Sequence, residues 1–111
     1  MVPGVAQEAF HQAFQQGNAD QLAKYLPAEL ELCILNREQT VSKSKALQDL
    51  RTFFSTHKVT QYNSKHSGGS QGQDKSYAIG NLVTDKGEFR VYVYYRKDGT
   101  ALEILEIRIE N

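Results

Sequence analysis

Three histidines, one cysteine and a few tyrosines are the side chains best suited to proton or metal chemistry in this 111-residue chain. His11, His57 and His66 lie far apart in sequence, and none has a second ligand at metal-binding spacing. They read as surface or helix-end residues. His57, at the end of an apolar helical stripe, suits the negative end of a helix dipole. Cys33 sits in the apolar run Leu32-Cys33-Ile34-Leu35 and reads as a small buried hydrophobe. A lone cysteine excludes an internal disulfide and leaves a disulfide between chains open. No serine stands in a Gly-x-Ser-x-Gly turn, and Ser67-Gly68-Gly69-Ser70 lacks the Lys-Ser/Thr and the helix of a phosphate loop. The residues therefore point to no cofactor and no metal.

Tyr77 and Asn81 are placed by the strands that carry them. From Ser76 to Glu110 the chain reads as three antiparallel strands, SYAIGNLVT, EFRVYVYYR and ALEILEIRIE, divided by Asp85-Lys86-Gly87 and Lys97-Asp98-Gly99. Treating each divider as a three-residue turn with a left-handed glycine sets the register. Arg96 then faces Thr100, Tyr92 faces Ile104, Arg90 faces Glu106 and Phe89 faces Ile107. In the first hairpin Val83 faces Phe89, Asn81 faces Val91, Ile79 faces Val93 and Tyr77 faces Tyr95. One face collects Phe89, Val91, Val93, Leu105, Ile107 and Ile109, a core face. This reading puts Tyr77 and Asn81 on that concave side, with Tyr25 and His57 near the mouth of a small pocket. Hydrogen bonds to backbone or water are the plainer explanation of the two polar residues.

The opposite face carries Arg90, Tyr92, Tyr94, Leu102 and Ile104, with Gly80 and Ala78 beneath the tyrosines. It is too apolar to be simply solvated. Arg90 to Arg96 alternates basic and aromatic residues, as single-strand nucleic-acid binders do. Glu103, Glu106 and Glu110 on the neighbouring strand make cross-strand ion pairing, Arg90 with Glu106, the better reading. Homodimerisation through this face follows.

Thirteen basic and thirteen acidic side chains cancel, so nothing draws the chain to nucleic acid or an anionic membrane. No apolar stretch is long enough to span a bilayer. The length suits one domain over residues 1–111, with Met1-Val2-Pro3-Gly4 reading as a remnant or a disordered terminus.

Upstream of the sheet, Ala6, Phe10, Ala13 and Phe14 recur at helical spacing over Val5 to Gln16, and Gly17 stops that helix. Asn18 caps a short second helix carrying Leu22, Tyr25 and Leu26, which Pro27 ends. Glu29 to Leu35 reads as a strand, Asn36-Arg37-Glu38-Gln39 as a turn and Thr40-Val41 as a short strand. Ser42 caps a third helix whose stripe is Ala46, Leu47, Leu50, Phe53 and Phe54, with His57 at its end. Val59 to Ser67 is a polar strand, and Ser67 to Asp74 a flexible loop.

This order, carried by AFQQGNADQLAKYLPAELELCIL, VSKSKALQDLRTFF, SYAIGNLVTDKGEFRVYVYYR and EIRIE, resembles the nuclear-transport-factor-2-like (NTF2-like, cystatin-like) superfamily. Within it the chain is most similar to the small bacterial family of unknown function numbered 4783. The resemblance implies an α+β cone, with three helices on the concave face of a strongly curved, mostly antiparallel sheet. It also implies sheet-to-sheet homodimers, a small apolar ligand in the cone if any, and export to the periplasm or beyond after loss of a signal peptide. Steroid isomerases of the superfamily use a tyrosine and an aspartate. Here those positions fall on Phe10 and near Ile34, neither of which moves a proton. The reading is a non-enzymatic scaffold or ligand-binding module; the alternative is an enzyme using Tyr77, Asn81 or His57.

Overall fold

A computed structural model describes the backbone of residues 5–69, 75–98 and 101–111, with side chains for those residues apart from 5–9, 67, 69, 97, 98 and 101. The fold is α+β. Helix α1 (Val5–Gln16) ends in Gly17 at φ +61°, with Gly17 N donating to Phe14 O and Asn18 N to Ala13 O. That pair of bonds is a Schellman stop. Asn18 then caps a 3-10 helix, η1 (Ala19–Tyr25), its side chain accepting from Asp20 N at 3.0 Å. Strands β1 (Glu29–Ile34) and β2 (Arg37–Ser42) form a hairpin, and Ser42 caps α2 (Lys43–Thr56) by accepting from Lys45 N. Four strands follow: β3 (Val59–Gly69), β4 (Lys75–Thr84), β5 (Gly87–Asp98) and β6 (Ala101–Glu110). They make one six-stranded sheet in the order β2-β1-β6-β5-β4-β3, antiparallel except where β1 pairs with β6.

The first hairpin turns one residue early relative to its sequence pattern. Leu35 and Asn36 both have positive φ, +51° and +74°, so the turn is Leu35-Asn36 and Arg37 to Gln39 belong to β2. Two central residues with positive φ make the tight turn whose twist matches paired strands. Leu35 N also donates to Ile109 O at 2.8 Å, anchoring the turn to β6.

The register of the C-terminal strands differs from the patterned one. Thr84 pairs with Gly87, so the β4–β5 connection is the two residues Asp85-Lys86, with Gly87 at φ +122°. Thr84 Oγ1 donates to Gly87 O at 2.9 Å and accepts from Lys86 N at 3.0 Å, while Asp85 is tied to Lys58 through both backbones and its carboxylate. Leu82 therefore faces Phe89, Asn81 faces Arg90, Ile79 faces Tyr92 and Tyr77 faces Tyr94. A slip of one residue turns every side chain of a strand over. Tyr77 and Asn81 accordingly leave the concave side, and Ala78, Gly80, Leu82 and Thr84 take it.

In the β5–β6 hairpin the ladder reaches Asp98 and Ala101; Arg96 pairs with Glu103 in place of the expected Thr100, Tyr92 with Arg108 in place of Ile104, and Arg90 with Glu110 in place of Glu106. The left-handed conformation expected of Gly99 lies outside the described residues. Tyr94 pairs with Glu106 but Tyr95 with Ile104, leaving Leu105 as the extra residue of a bulge. Ile104 is consequently fully buried in the core and Leu102 packs at its rim, so both are on the opposite side of the sheet from Tyr92 and Tyr94. Leu105 lies outside the core cluster. Of the expected Ser67–Asp74 loop, Ser67 to Gly69 continue β3, and 70–74 lie outside the described residues, as do residues 1–4 and the side chain of Ala6.

The core lies between the helices and the concave face. Phe10, Ala13 and Phe14 of α1, and Ala46, Leu50, Phe53 and Phe54 of α2, meet Leu82, Phe89, Val91, Val93, Ile107 and Ile109. Edge strand β3 is partly covered by α1, since Gln15 accepts a hydrogen bond from Tyr62 N at 3.0 Å. Tyr62 then reaches across Gly80, so that any Cβ there would overlap its ring. Phe14 stacks on Tyr62 from the helix side, at 5.3 Å between ring centres, which leaves the ring little room to move. Gly80→Ala should therefore destabilise the fold by about 1–3 kcal/mol, read by urea unfolding, and by much less in a Tyr62→Leu background. Wild-type stability of the single variant would refute this account of the contact.

Candidate functional site

Two regions qualify as sites: the mouth of the cone and the outer sheet face. Aromatic side chains fill the centre of the cone. Phe10 meets Tyr25 and Tyr95 edge-on, and Phe14 continues through Phe54 and Phe53 to Phe89. Phe10, Phe14, Phe54 and Phe89 are all buried. The isomerase positions thus hold Phe10, locked in this cluster, and Ile34, a half-buried aliphatic. Burial also raises the Tyr62 hydroxyl to about 12 and pushes Tyr95 up.

The expected pocket constellation is not brought together. Tyr25 sits on η1 against Phe10, with Lys24 Nζ 5.3 Å from its ring centre. His57 caps the C-terminus of α2, where its Nδ1 lies 3.0 Å from Phe53 O and its ring stacks on Phe53 at 4.2 Å. Tyr77 and Asn81 are on the other side of the sheet, because of the β4–β5 register. Of the four, only His57 lines the cleft between α2 and the β1–β2 hairpin, a space of about 350 Å³ with Leu32, Leu35, Arg37 and Phe53 among its walls; Tyr25 and Asn81 border separate surface hollows. The other histidines stand apart: His11 Nδ1 is 3.4 Å from Ser64 Oγ, and His66 lies 6.0 Å from the Tyr77 ring. Among the described residues, no group of three or more His, Cys, Asp or Glu side chains is arranged to hold a metal ion. No helix there is long and apolar enough to cross a membrane.

The outer face is built in rows across the strands. One row runs Thr40, Glu31, Glu106, Tyr94, Tyr77, Gly68; the next runs Glu38, Cys33, Arg108, Tyr92, Ile79, His66; a third holds Glu110, Arg90, Asn81 and Asn63. Tyr77 and Tyr92 lie parallel, 6.2 Å apart, and Tyr77 leans over Gly68. Burial first, then the Glu106 carboxylate, pushes the Tyr92 hydroxyl up.

Arg108 dominates the left of these rows. It contacts Glu38 at 2.8 Å, Glu106 at 3.0 Å and Glu110 at 2.9 Å, and these hydrogen bonds hold the guanidinium protonated. Arg90, the cation that sequence pairs with Glu106, faces Glu110 in the ladder and is exposed, without an ion pair among the described residues. Cys33 lies between Glu38 and Arg108 in its row, so the Glu38–Arg108 bridge spans the strand that carries the thiol. Cys33 is 3% exposed, as its apolar sequence context implies. Arg108 is the residue sequence reasoning missed; its place among Glu106 and Glu110, two residues away on either side, was the available signal.

Comparison with known proteins closes the assignment of family. Among curated proteins, no sequence matches the chain. A Bacteroides uniformis protein of the DUF4783 family is 35% identical, with a TM-score of 0.86 over 100% of this chain and 97% of that one. Its Bacteroides ovatus counterpart is 32% identical, with a TM-score of 0.84 over 100% and 94%. An NTF2-like protein of unknown function from Cytophaga hutchinsonii shares the fold at 10% identity, with a TM-score of 0.63 over 93% and 83%. The family model described as "Domain of unknown function (DUF4783)" matches residues 7–110, and with these relatives it establishes that the chain belongs to the DUF4783 family and has the NTF2-like cone fold.

Proposed function

We propose that this domain is a non-enzymatic scaffold that pairs with a second copy of itself through the outer sheet face. The observation that carries this reading is the aromatic patch of Tyr77, Ile79, Tyr92 and Tyr94, half-buried in the single chain. Glu31, Glu38, Glu106 and Glu110 lie with Arg108 on the β2-β1-β6 side of the patch, and Arg90 lies at its end, beside Glu110 in the ladder. A two-fold contact needs a self-complementary patch, and an aromatic centre with charges of both signs at its edge meets that need. Equal numbers of acidic and basic side chains leave no net repulsion between copies. Three strand spacings of about 4.8 Å across strands of about ten residues, and two across the six-residue β1 and β2, at about 3.3 Å per residue, give a face of about 670 Å², close to the usual contribution of one partner. The buried aromatic cone and the apolar Phe10 and Ile34 support a role without acid–base chemistry.

Native mass spectrometry and sedimentation at tens of micromolar should give twice the 12.5 kDa chain mass. Tyr92→Glu or Tyr94→Glu should give a folded monomer, since a buried carboxylate without a partner costs several kcal/mol. A wild-type monomer at high concentration, unchanged by either substitution, would overturn the proposal.

We also propose that the domain works outside the cytoplasm, in the periplasm or secreted. The reading rests on the resemblance to an exported family, and the buried Cys33, which offers no accessible thiol to an oxidising medium, is compatible with it. In the monomeric Tyr92→Glu background, Cys33 should resist a thiol-labelling reagent, and Arg108→Ala should speed labelling by about tenfold or more. Equal rates would show that Arg108 does not shield the thiol. Cell fractionation that recovers the protein with cytoplasmic markers would refute the compartment itself.

A further inference from the structure

The cleft between α2 and the β1–β2 hairpin is separate from the outer face and from the filled cone centre. We propose that it binds a small molecule with a flat apolar body and one anionic group, of the arylcarboxylate class. Its volume, about 350 Å³, is within the range of small-ligand sites. The floor is apolar: Leu32 and Phe53 are buried, and Ile34 and Leu35 are half-buried against the core. The His57 ring lies on Phe53 with 9° between the planes, extending a flat wall suited to a planar ligand.

Leu35, held at φ +51° by the two-residue turn, carries an apolar side chain where such turns favour glycine or asparagine, and that side chain lines the cleft.

Charge selects the ligand's polar end. Two charged residues line the cleft, Arg37 and Asp49. Asp49 is neutralised by Lys45, 2.9 Å away, whereas Arg37 makes no ion pair among the described residues. Thr52 donates its hydroxyl to Gln48 O, and Thr56 to Thr52 O, both on the helix itself. The Arg37 guanidinium and the Gln39 amide remain as donors, and a guanidinium matches a carboxylate with two parallel hydrogen bonds.

The test is a titration of the full chain with 2-naphthoate, followed by amide chemical shifts, with 2-naphthol and 2-naphthylmethylamine as comparators. Naphthoate should shift the amides of Leu35, Arg37, Phe53 and His57 saturably, with a Kd on the order of 1 mM or tighter. The two comparators should bind at least about fivefold more weakly, and Arg37→Gln should cost naphthoate about fivefold or more. Thr52→Trp, which fills the cleft from an exposed helix position, should abolish the shifts, while Thr52→Ala keeps them; near-ultraviolet circular dichroism checks that each variant folds. Three results would each overturn the proposal: no saturable shift up to about ten times the expected Kd, equal binding of all three probes with Arg37→Gln unchanged, or shifts confined to Tyr92 and Tyr94. None of these depends on whether the chain dimerises.

Discussion

Thr84 closes its turn with one hydroxyl, donating to the Gly87 carbonyl and accepting from the Lys86 amide. These two bonds hold a two-residue connection, and Asp85, tied to Lys58, holds the same turn against β3. The connection sets the register of β4 on β5, and the register decides which side of the sheet each side chain occupies. Tyr77, Ile79 and Asn81 thereby go outward, and Ala78, Gly80 and Leu82 go inward beneath the helices. Gly80 then becomes the place where Tyr62 crosses the sheet. An alternative register would put Val83 and Ile79 in the core and leave Tyr62 facing a side chain where it now faces bare backbone.

That inward face dictates a filled cone. The rings running from Tyr25 and Phe10 through Phe14 and Phe54 to Phe53 and Phe89 occupy the centre of the cone. Such a core stabilises a short chain well, because aromatic side chains bury large areas at fixed geometry. It also moves open space to the periphery, between α2 and the first hairpin, where the Leu35-Asn36 turn and the C-terminus of α2 remain apart. Polar groups meet apolar walls there.

On the outer face the bulge at Leu105 plays the corresponding part. It removes Ile104 and Leu102 to the core side, so the outward patch is smaller and more aromatic than a regular ladder would make it. Arg108 gathers three carboxylates that would otherwise repel one another, two on its own strand and Glu38 from across β1. Arg90 faces Glu110 at the end of the patch. The same arrangement therefore organises the acid cluster and covers Cys33.

Much of this was legible in the residues. The Gly17 stop, the Asn18 and Ser42 caps, the apolar stripes of α1 and α2, and the burial of Phe89, Val91, Val93, Ile107 and Ile109 all follow from local chemistry and periodicity. Those features depend on neighbours within a few residues, which a sequence displays directly. The NTF2-like cone and the family came instead from a resemblance in the whole order of elements, which the family match bears out. Register does not: both hairpin dividers accommodate turns of two or three residues, and patterning favoured the longer turn because it also paired apolar residues. The shorter turn prevails through contacts between distant segments, Asp85 with Lys58 and Tyr62 with Gly80, and the Leu105 bulge then shifts β6 by one more residue. Because side chains alternate with a period of two, single-residue shifts moved Tyr77 and Asn81 out of the expected pocket and Ile104 out of the expected interface. The chain alone determined the helices, the strands and the core side of β5; tertiary packing decided which side chains of β4 and of Leu102 to Leu105 face outward, since only cross-strand contacts distinguish one register from the next.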